Sequence, residues 1–241
     1  MLTVDFDKLE FKPGFKVLDA GCGTGRHITE AFRRQGVDVV GIDMKLSDLT
    51  KAKDTLGAMM VAGESGGGEV MMSVSDITKL PFADDTFDIV ICSEVMEHIP
   101  SHEKAAAELI RILKPGHALV VSVPRYLPER ICWALSDEYH IHPGDHVRIY
   151  KKRELVRMLE RRGVKVEDSG RAHALHSPYW WLKCLVGPKN DEHPAVKLYH
   201  RFLVWDIMEK PWITRTLERI LNPFISKSIV LYMRKGDYYG A

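Results

Sequence analysis

Apolar residues in the first half of the chain follow two alternating patterns. Short aliphatic, β-branched runs predict strands, and longer stretches with apolar residues every three or four positions predict helices. The predicted strands lie at 16–20, 37–42, 69–74, 86–92 and 118–123, and the predicted helices at 26–35, 46–61 and 101–113. Near-continuous apolar strands joined by helices are typical of a parallel sheet covered on both faces. We therefore expect a doubly wound α/β sandwich, with its ligand at the carboxyl ends of the strands.

The second half departs from this alternation. A long connection rich in Tyr, Trp and His spans 124–146, and a basic helix at 151–162 and a strand at 164–168 follow it. Residues 173–225 are mostly helical in pattern and carry four tryptophans, and a last strand is predicted at 227–234. We therefore predict an α/β domain formed by 1–172 and 226–241. The segment 173–225 is predicted to be a helical insertion before the last strand. Because an insertion of this length is usually functional, we expect it to cap the acceptor.

Charge is spread unevenly along the chain. The formal net charge is +1, but residues 1–124 carry thirteen Lys and Arg against nineteen Asp and Glu, so the rest carries the basic excess. The basic helix at 151–162 is interleaved with Glu154 and Glu160. A protein that binds nucleic acid usually shows a stronger basic excess, so we interpret this helix as a solvated face and predict no nucleic-acid partner.

Cysteine usage and hydropathy indicate the compartment. The four cysteines are far apart in the sequence and form no CxxC pair, which favours reduced thiols. The first residues carry acids and no apolar signal-peptide core. The longest apolar stretch of the second half, 179–186, is far shorter than the roughly 20 residues of a membrane-spanning helix. We therefore predict a cytoplasmic protein.

A glycine turn, Gly21-Cys-Gly-Thr-Gly25, joins the first strand to the first helix. Glycine permits close backbone approach, and the N–H groups of the helix start face whatever sits against the turn. A dinucleotide turn would have Gly or Ala where Arg26 stands, and no Lys-Ser/Thr pair follows as in a phosphate-binding loop. Asp19 directs a carboxylate at the turn, which disfavours a pyrophosphate and favours a cation.

Further acids follow the next strands. Asp43 ends the second strand, where it can accept both hydroxyls of a ribose, and Asp76 follows the third, where it can accept from the amine of an adenine. Glu94 and Glu97 follow the fourth strand. Together these positions suit a ligand with adenine, ribose and positive charge but no phosphate. S-adenosylmethionine has this composition.

Five linked motifs carry a family resemblance. They are VLDAGCGTG at 17–25, GIDM at 41–44, DITKLPFADDTFDIV at 76–90, SEVMEHI at 93–99 and LKPGHALVVSVP at 113–124. In this order and spacing the chain resembles the class I S-adenosylmethionine-dependent methyltransferases, most of all the small-molecule and ubiquinone-pathway "type 11" branch. The resemblance covers about 15–125 and continues loosely to 146–150. It implies a Rossmann-like, mostly parallel sheet of seven strands with one antiparallel strand and helices on both faces.

The resemblance also implies roles by position. Asp19, Gly21 and Gly23 would line the methionine moiety of the cofactor. Asp43 would hold the ribose, with Met44 beside the adenine and Asp76 and Ile77 at the adenine edge. Ser93 would offer its carbonyl to the amino group, and Arg26 is a candidate for the carboxylate, with a solvated helix residue as the alternative.

The implied activity is methyl transfer to a small-molecule acceptor, with a lipid- or isoprenoid-like molecule as one candidate and S-adenosylhomocysteine as product. A base is needed only where the acceptor must lose a proton, and His98 and His146 are the favoured candidates. His140 and His142 are less favoured. A metal site built from His140, His142 and His146 lacks a cysteine or carboxylate partner, so we predict no metal.

Two other classes remain open. A cofactor-binding but catalytically silent regulator or scaffold is possible on the same fold, although the intact set of cofactor residues favours activity. A dinucleotide-dependent oxidoreductase is disfavoured by Arg26 and Asp19.

The aromatic residues of the insertion 173–225 have two interpretations. We favour the first, in which they form the insertion's own core, because aromatic stripes at helical spacing usually do. In the second, the aromatic and basic residues enclose a lipid-like acceptor or make peripheral contact with an anionic membrane.

Overall fold

The sheet has the predicted architecture. A computed structural model describes residues 1–141 and 146–237, and within them seven strands form one sheet in the order β3-β2-β1-β4-β5-β7-β6. The strands are β1 (Lys16–Ala20), β2 (Asp38–Asp43), β3 (Val70–Val74), β4 (Phe87–Ser93), β5 (Leu113–Pro124), β6 (Val164–Ala172) and β7 (Ser228–Lys235). Strands β1 to β5 pair in parallel, and β7 is antiparallel to both its neighbours. The Rossmann-like sheet with one antiparallel strand is therefore confirmed.

Eight α-helices cover this sheet in the described residues. They are α1 (Arg26–Phe32), α2 (Leu46–Val61), α3 (His102–Ile112), α4 (Tyr126–Leu135), α5 (Lys152–Glu160), α6 (His176–Val186), α7 (Pro194–Glu209) and α8 (Trp212–Ile225). Every residue of β4 is buried, and separate hydrophobic clusters lie on the two faces of the sheet. The chain reverses direction across the sheet between β1 and β4, so the carboxyl ends of these strands border a crevice.

Two local predictions were wrong. Strand β5 begins at Leu113 rather than at 118, because Leu113 already pairs with Phe87 and the register then shifts before Ala118 pairs with Ile89. This irregularity accommodates Pro115, which cannot donate a ladder hydrogen bond. Helix α1 ends at Phe32 rather than at 35.

Helix α4 was also missed, since the sequence predicted only a connection over 124–146. Pro128 stands at the third position of this helix. Proline is tolerated in the first turn of a helix, where the N–H has no intrahelical partner, so it marks a helix start rather than a break. Cys132 of α4 hydrogen-bonds Cys184 of α6 as a free thiol, although the two are distant in sequence.

The helices α6, α7 and α8 occupy the segment predicted as an insertion. Trp181 Nε1 donates to the Pro128 carbonyl at 3.1 Å, and the Trp180 ring packs against Tyr139. Trp205 and Trp212, in contrast, are 48% and 76% exposed. The interpretation that these aromatics form the insertion's own core is therefore wrong for the second pair. Among the described helices, none has the length and hydropathy of a bilayer-spanning segment.

The glycine-rich segment 63–68 packs its backbone closely against the chain at Gly66. Gly66 donates from its N–H to the Phe32 carbonyl at 2.7 Å and accepts from Gly36 N–H at 2.8 Å. A Cβ at Gly66 would lie 1.9 Å from the carbonyl oxygen of Arg34. The glycine is therefore needed for close approach of two backbones rather than for flexibility.

We predict that Gly66→Ala lowers the free energy of unfolding by at least about 2 kcal/mol, because the backbone must move to admit the methyl group. Gly57→Ala is the matched control, since Gly57 lies within α2 and a Cβ there meets nothing within 4 Å. That control should gain about 0.5–1 kcal/mol. Urea unfolding measures both, and equal stabilities would contradict the packing of this segment.

Candidate active site

The glycine turn between β1 and α1 forms one wall of a cavity. Gly21 N–H donates to the Ile42 carbonyl at 2.8 Å and has a φ of +78°, which favours glycine. A Cβ at this position would lie 2.3 Å from Cγ2 of Val95, in the loop after β4. The absence of a side chain at Gly21 therefore lets the turn and the loop approach each other.

Asp43, at the end of β2, braces the turn. Its Oδ2 accepts from Gly23 N–H at 2.9 Å, and its Oδ1 accepts from Lys45 N–H at 2.9 Å. Each carboxylate oxygen can accept a second hydrogen bond, so the bracing leaves capacity for two ribose hydroxyls. The same side chain can thus shape the turn and bind a ligand.

A first cavity, of about 690 Å³, lies between the turn and the ends of β2 and β4. Eight of the nine residues predicted to bind the cofactor line it, together with His98. They are Gly21, Gly23, Arg26, Asp43, Met44, Asp76, Ile77 and Ser93. Residues from four separate segments of the sequence therefore meet at one place, as expected for strand ends of a parallel sheet.

Asp76 lies at the side of the first cavity, and Ile77 beside it is buried. The Oδ1 atom of Asp76 accepts from both the N–H and the hydroxyl of Thr78 at 2.8 Å. These hydrogen bonds lower the pKa of the Asp76 carboxyl below its ordinary value. Asp76 is therefore an ionised acceptor at neutral pH, suited to an amine.

Asp19, the ninth predicted residue, is placed behind the turn instead of in the cavity wall. It is 1% exposed, and neither of its carboxylate oxygens has a hydrogen-bond partner within the described residues. Burial raises the pKa of Asp19 to about 7, against the opposing effect of Arg26. Its role at the methionine moiety stays a prediction, and from this position the carboxylate would act on a cation through its charge.

A second cavity, of about 400 Å³, adjoins the first. The two share Arg26, Glu94 and His98. Both predicted catalytic residues line the second cavity, and the ring centroids of His98 and His146 are 4.8 Å apart. The predicted catalytic pair is therefore brought together next to the predicted cofactor cavity.

His146 is oriented by Glu129 of α4, a residue that sequence reasoning missed. The Nδ1 atom of His146 hydrogen-bonds Oε1 of Glu129, which is 3% exposed and also accepts from Trp133 Nε1 at 3.2 Å. Since Nδ1–H donates to a carboxylate, the basic nitrogen of the neutral ring is Nε2. No sequence signal pointed to Glu129, because the helix that carries it was not predicted.

Glu97 closes the other side of this group. It is 1% exposed, its oxygens have no hydrogen-bond partner in the described residues, and Oε1 lies 3.9 Å from His146 Nε2. Burial, and then the nearby Glu94, raise the pKa of Glu97 above its ordinary value. The neutral, protonated form of this carboxyl is therefore favoured beside His146.

One atom each from Glu97, His98 and His146 lie within 4.8 Å of one another, a group that could hold a metal ion. This set differs from the one weighed in the sequence. His140 stacks on Trp133 with a centroid distance of 4.2 Å, and His142 lies outside the described residues. The structure therefore supplies a carboxylate and an additional histidine where the sequence suggested three histidines of one segment.

The loop that carries His98 is held by residues just after His146. Arg148 donates to the carbonyls of Met96, Ile99 and Pro100, and the Tyr150 hydroxyl donates to Met96 O at 3.2 Å. These hydrogen bonds fix three carbonyls of the loop and therefore position His98. The same stretch of chain thus provides His146 and positions its neighbour.

Three more residues of the second cavity were missed: His173, His176 and Lys227. Burial lowers the pKa of His176 to about 4 and that of His173 well below its ordinary value, so both rings are neutral. Lys227 stands at the start of the last strand. His173 and His176 begin the segment 173–225 and Lys227 follows its end, where the sequence carries no motif.

A sequence profile described as a methyltransferase domain matches residues 11–163, which is more than half of the chain. The chain belongs to the methyltransferase domain family. The match covers β1 to β5, α1 to α5 and every predicted cofactor-binding residue, and it ends before the helical segment.

Curated relatives share part of their length with this methyltransferase domain. A cycloartenol-C-24-methyltransferase of Oryza sativa subsp. japonica is 33% identical over 148 residues, which are 61% of this chain and 39% of the relative. A ubiquinone biosynthesis O-methyltransferase of Hahella chejuensis is 35% identical over 136 residues, which are 56% of this chain and 54% of the relative. The chain therefore matches about half the length of these relatives or less.

Solved structures share the fold over nearly the whole chain. The [4+2]-cyclase SpnF has a TM-score of 0.62 at 20% identity, covering 96% of this chain and 79% of its own. A geranyl diphosphate C-methyltransferase from Streptomyces coelicolor A3(2), solved with Mg²⁺, geranyl diphosphate and S-adenosyl-L-homocysteine, has a TM-score of 0.62 at 14% identity, covering 95% and 76%. At these identities the likeness shows the fold alone.

S-adenosylmethionine is the cofactor of this domain, and the residues present fit it. A Cβ at residue 21 would collide with Val95, so the turn requires glycine here. Asp43 and Asp76 are placed as hydrogen-bond acceptors, and the buried Asp19 carboxylate has no hydrogen-bonded cation in the described residues. No basic phosphate cradle of the Lys-Ser/Thr type follows the turn. The donor and acceptor set thus suits an adenosyl group with a positive charge.

We predict that Asp19→Asn changes how stability depends on pH in the cofactor-free protein. The native carboxyl titrates near pH 7 rather than near 3.8, so the stability associated with its protonated form is fully present below pH 4 and is lost as pH rises through 7. The loss amounts to roughly 4 kcal/mol. From pH 4 to pH 8, the free energy of unfolding of the wild-type protein should fall by this amount relative to that of the variant, as measured by urea unfolding. Equal changes in the two proteins would contradict the raised pKa.

Proposed function

We propose that this chain transfers a methyl group from S-adenosylmethionine to a small-molecule acceptor of lipid- or isoprenoid-like chemistry. The observation that carries this proposal is the pair of adjoining cavities. One is lined by eight of the nine residues predicted to bind the cofactor, the other by His146 and the buried carboxyl group of Glu97, and Arg26, Glu94 and His98 belong to both. The names of curated relatives, a cycloartenol C-24- and a ubiquinone-biosynthesis O-methyltransferase, support the acceptor class.

When bound, S-adenosylmethionine supplies an electrophilic methyl group on a sulfonium. The chain's own residues bind and orient: Asp43 holds the ribose, Asp76 the adenine amine, and the glycine turn the amino-acid tail. Because the methyl donor is already activated, positioning of the acceptor in the second cavity carries most of the rate. The shared wall of the two cavities is the place where the acceptor atom would meet the methyl group.

The base proposed for a hydroxyl or activated-carbon acceptor is His146. Its Nε2 accepts the acceptor proton, while Glu129 holds Nδ1–H and stabilises the imidazolium that forms. Glu97, which retains its proton through burial, lies 3.9 Å from Nε2 and can exchange a proton with it. His98, with its ring against His146, contributes to the same wall.

We place this activity in the cytoplasm, with peripheral contact at a membrane. The four cysteines are free thiols in the structure, which supports a reducing compartment. An isoprenoid-like acceptor partitions into lipid, which supports a membrane contact. No nucleic-acid partner is proposed, because the basic helix α5 is interleaved with Glu154 and Glu160.

A second candidate function is a protein that binds the cofactor without transferring its methyl group. The likeness to a [4+2]-cyclase favours keeping it, since that enzyme's fold serves a different reaction. Release of S-adenosylhomocysteine in the presence of a candidate acceptor separates the two. A panel of isoprenoid phenols and sterols is the acceptor set to begin with.

We predict that His146→Ala lowers kcat by about 10²-fold or more and that Glu129→Gln lowers it about tenfold, with the affinity for S-adenosylmethionine unchanged in both. His117→Ala is the matched control, because His117 also contacts a buried acid, Asp88, at 3.2 Å but lies at the opposite end of the strands. S-adenosylhomocysteine release measures the rates. Losses below tenfold in every variant would mean that positioning alone suffices.

Metal removal distinguishes the base from a metal ligand. If His146 acts as a base, the activity should survive dialysis against EDTA. Loss of activity with EDTA, restored by a divalent cation, would instead assign Glu97, His98 and His146 to a metal site.

A further inference from the structure

Helix α8 presents its polar side to the protein. Thr214 is 4% exposed, Asn222 accepts from Ala174 N–H at 3.1 Å through Oδ1, and Arg215 contacts the buried carboxylate of Asp206 on α7. Thr214 and Arg215 precede Asn222 by eight and seven residues, about two helical turns, so the three side chains lie on one side of the helix. The side of α8 that packs on the protein is therefore hydrogen-bonded and charged.

The opposite side of α8 is apolar and exposed. Ile213, Leu217, Ile220 and Phe224 follow one another at intervals of four, three and four residues, and their exposed fractions are 59%, 41%, 59% and 66%. A helix at the surface of a water-soluble protein normally has the reverse arrangement, with its apolar stripe inward. This stripe, with Trp212 at 76% exposure, thus lacks an apolar partner among the described residues.

Helix α7 extends the exposed apolar surface. Leu198, Trp205 and Met208 are 71%, 48% and 73% exposed, and with the α8 stripe they form what we call the α7–α8 face. Exposed cations accompany it: Arg201 lies between Leu198 and Trp205, Lys210 at the corner between the helices, and Arg219 on α8. Glu209 is the exposed acid of the same stretch. Cations therefore outnumber acids around the apolar residues.

This combination selects an anionic bilayer as the occupant. Tryptophans and aliphatic side chains insert at the boundary of head groups and acyl chains, while Arg and Lys meet the lipid phosphates. At fourteen residues α8 is too short to cross a bilayer but can lie in its interface. A second copy of this chain would bring the same cations against one another, which disfavours self-association.

Helix α7, which carries part of this face, also borders the acceptor cavity. Ile207 of α7 lines the second cavity, and so do His176 at the start of α6 and Lys227 just after α8. The helices that carry the exposed face thus also wall the space next to His98 and His146. A molecule held in the bilayer beneath α7 and α8 would have a short route into this cavity.

We propose that the α7–α8 face docks on an anionic lipid bilayer and that the acceptor enters the second cavity from that bilayer. The docking is independent of the methyl transfer proposed above, and only the route of the acceptor rests on it.

Vesicle flotation tests the docking. The wild-type protein should float with vesicles of phosphatidylcholine and phosphatidylglycerol at low salt. It should float less with phosphatidylcholine alone and less in molar salt, where the Debye length falls to about 3 Å. Failure of the wild-type protein to float with the anionic vesicles would overturn the proposal.

A variant with acidic residues in the α8 stripe provides the decisive test. Ile220→Glu combined with Phe224→Glu should reduce the vesicle-bound fraction about tenfold or more. Met60→Glu combined with Val61→Glu is the matched control, since these residues of α2 are 58% and 92% exposed, and it should float like wild type. Calorimetric affinity for S-adenosylmethionine, equal in all three proteins, shows that the variants are folded.

The remaining outcomes separate this proposal from the proposed function. Flotation without methyl transfer would uphold docking and reject the activity, whereas transfer to a detergent-soluble acceptor without flotation would do the opposite. Turnover of an acceptor embedded in vesicles should fall in the stripe variant while turnover of the soluble acceptor is kept. A wild-type dimer that the stripe variant converts to a monomer in sedimentation would assign the face to self-association and overturn the proposal.

Discussion

The close approach of Gly21 to Val95 is the constraint on which the site depends. A side chain at residue 21 would collide with Val95 at 2.3 Å, so the turn after β1 and the loop after β4 can meet only around a glycine. Asp43 then fixes the turn from the other side through Gly23 N–H. Because both contacts join neighbouring strand ends, the parallel sheet itself sets the dimensions of the first cavity.

The second cavity depends on elements distant in sequence. Glu129 comes from α4, Glu97 and His98 from the loop after β4, and His146 from the chain that precedes α5. Arg148 and Tyr150 hold that loop by its carbonyls. Glu97, whose pKa is raised by burial, and Glu129, which orients His146, thus lie in different surroundings. The group that suits proton transfer is therefore assembled by tertiary packing rather than by any one motif.

The limits of prediction follow from this difference. The glycine turn, Asp43, Asp76 and Ser93 could be located from sequence because each stands at a strand end, and strand ends of a parallel sheet converge. Asp19 shares that position, but its side chain turns to the buried side, which the pattern did not indicate. Glu129 could not be found, since Pro128 obscured its helix. Nor could the outward apolar stripe of α8, because hydropathy gives the strength of an amphipathic pattern and not the side on which it packs.

Isothermal titration calorimetry with S-adenosylmethionine tests the central claim most directly. The account predicts one site per chain for S-adenosylmethionine and no measurable binding of NAD. It also predicts an affinity roughly 10- to 150-fold weaker in Asp43→Ala, which loses a hydrogen bond to a charged group. Binding of NAD with comparable affinity, or an Asp43→Ala variant that binds S-adenosylmethionine like the wild-type protein, would contradict it.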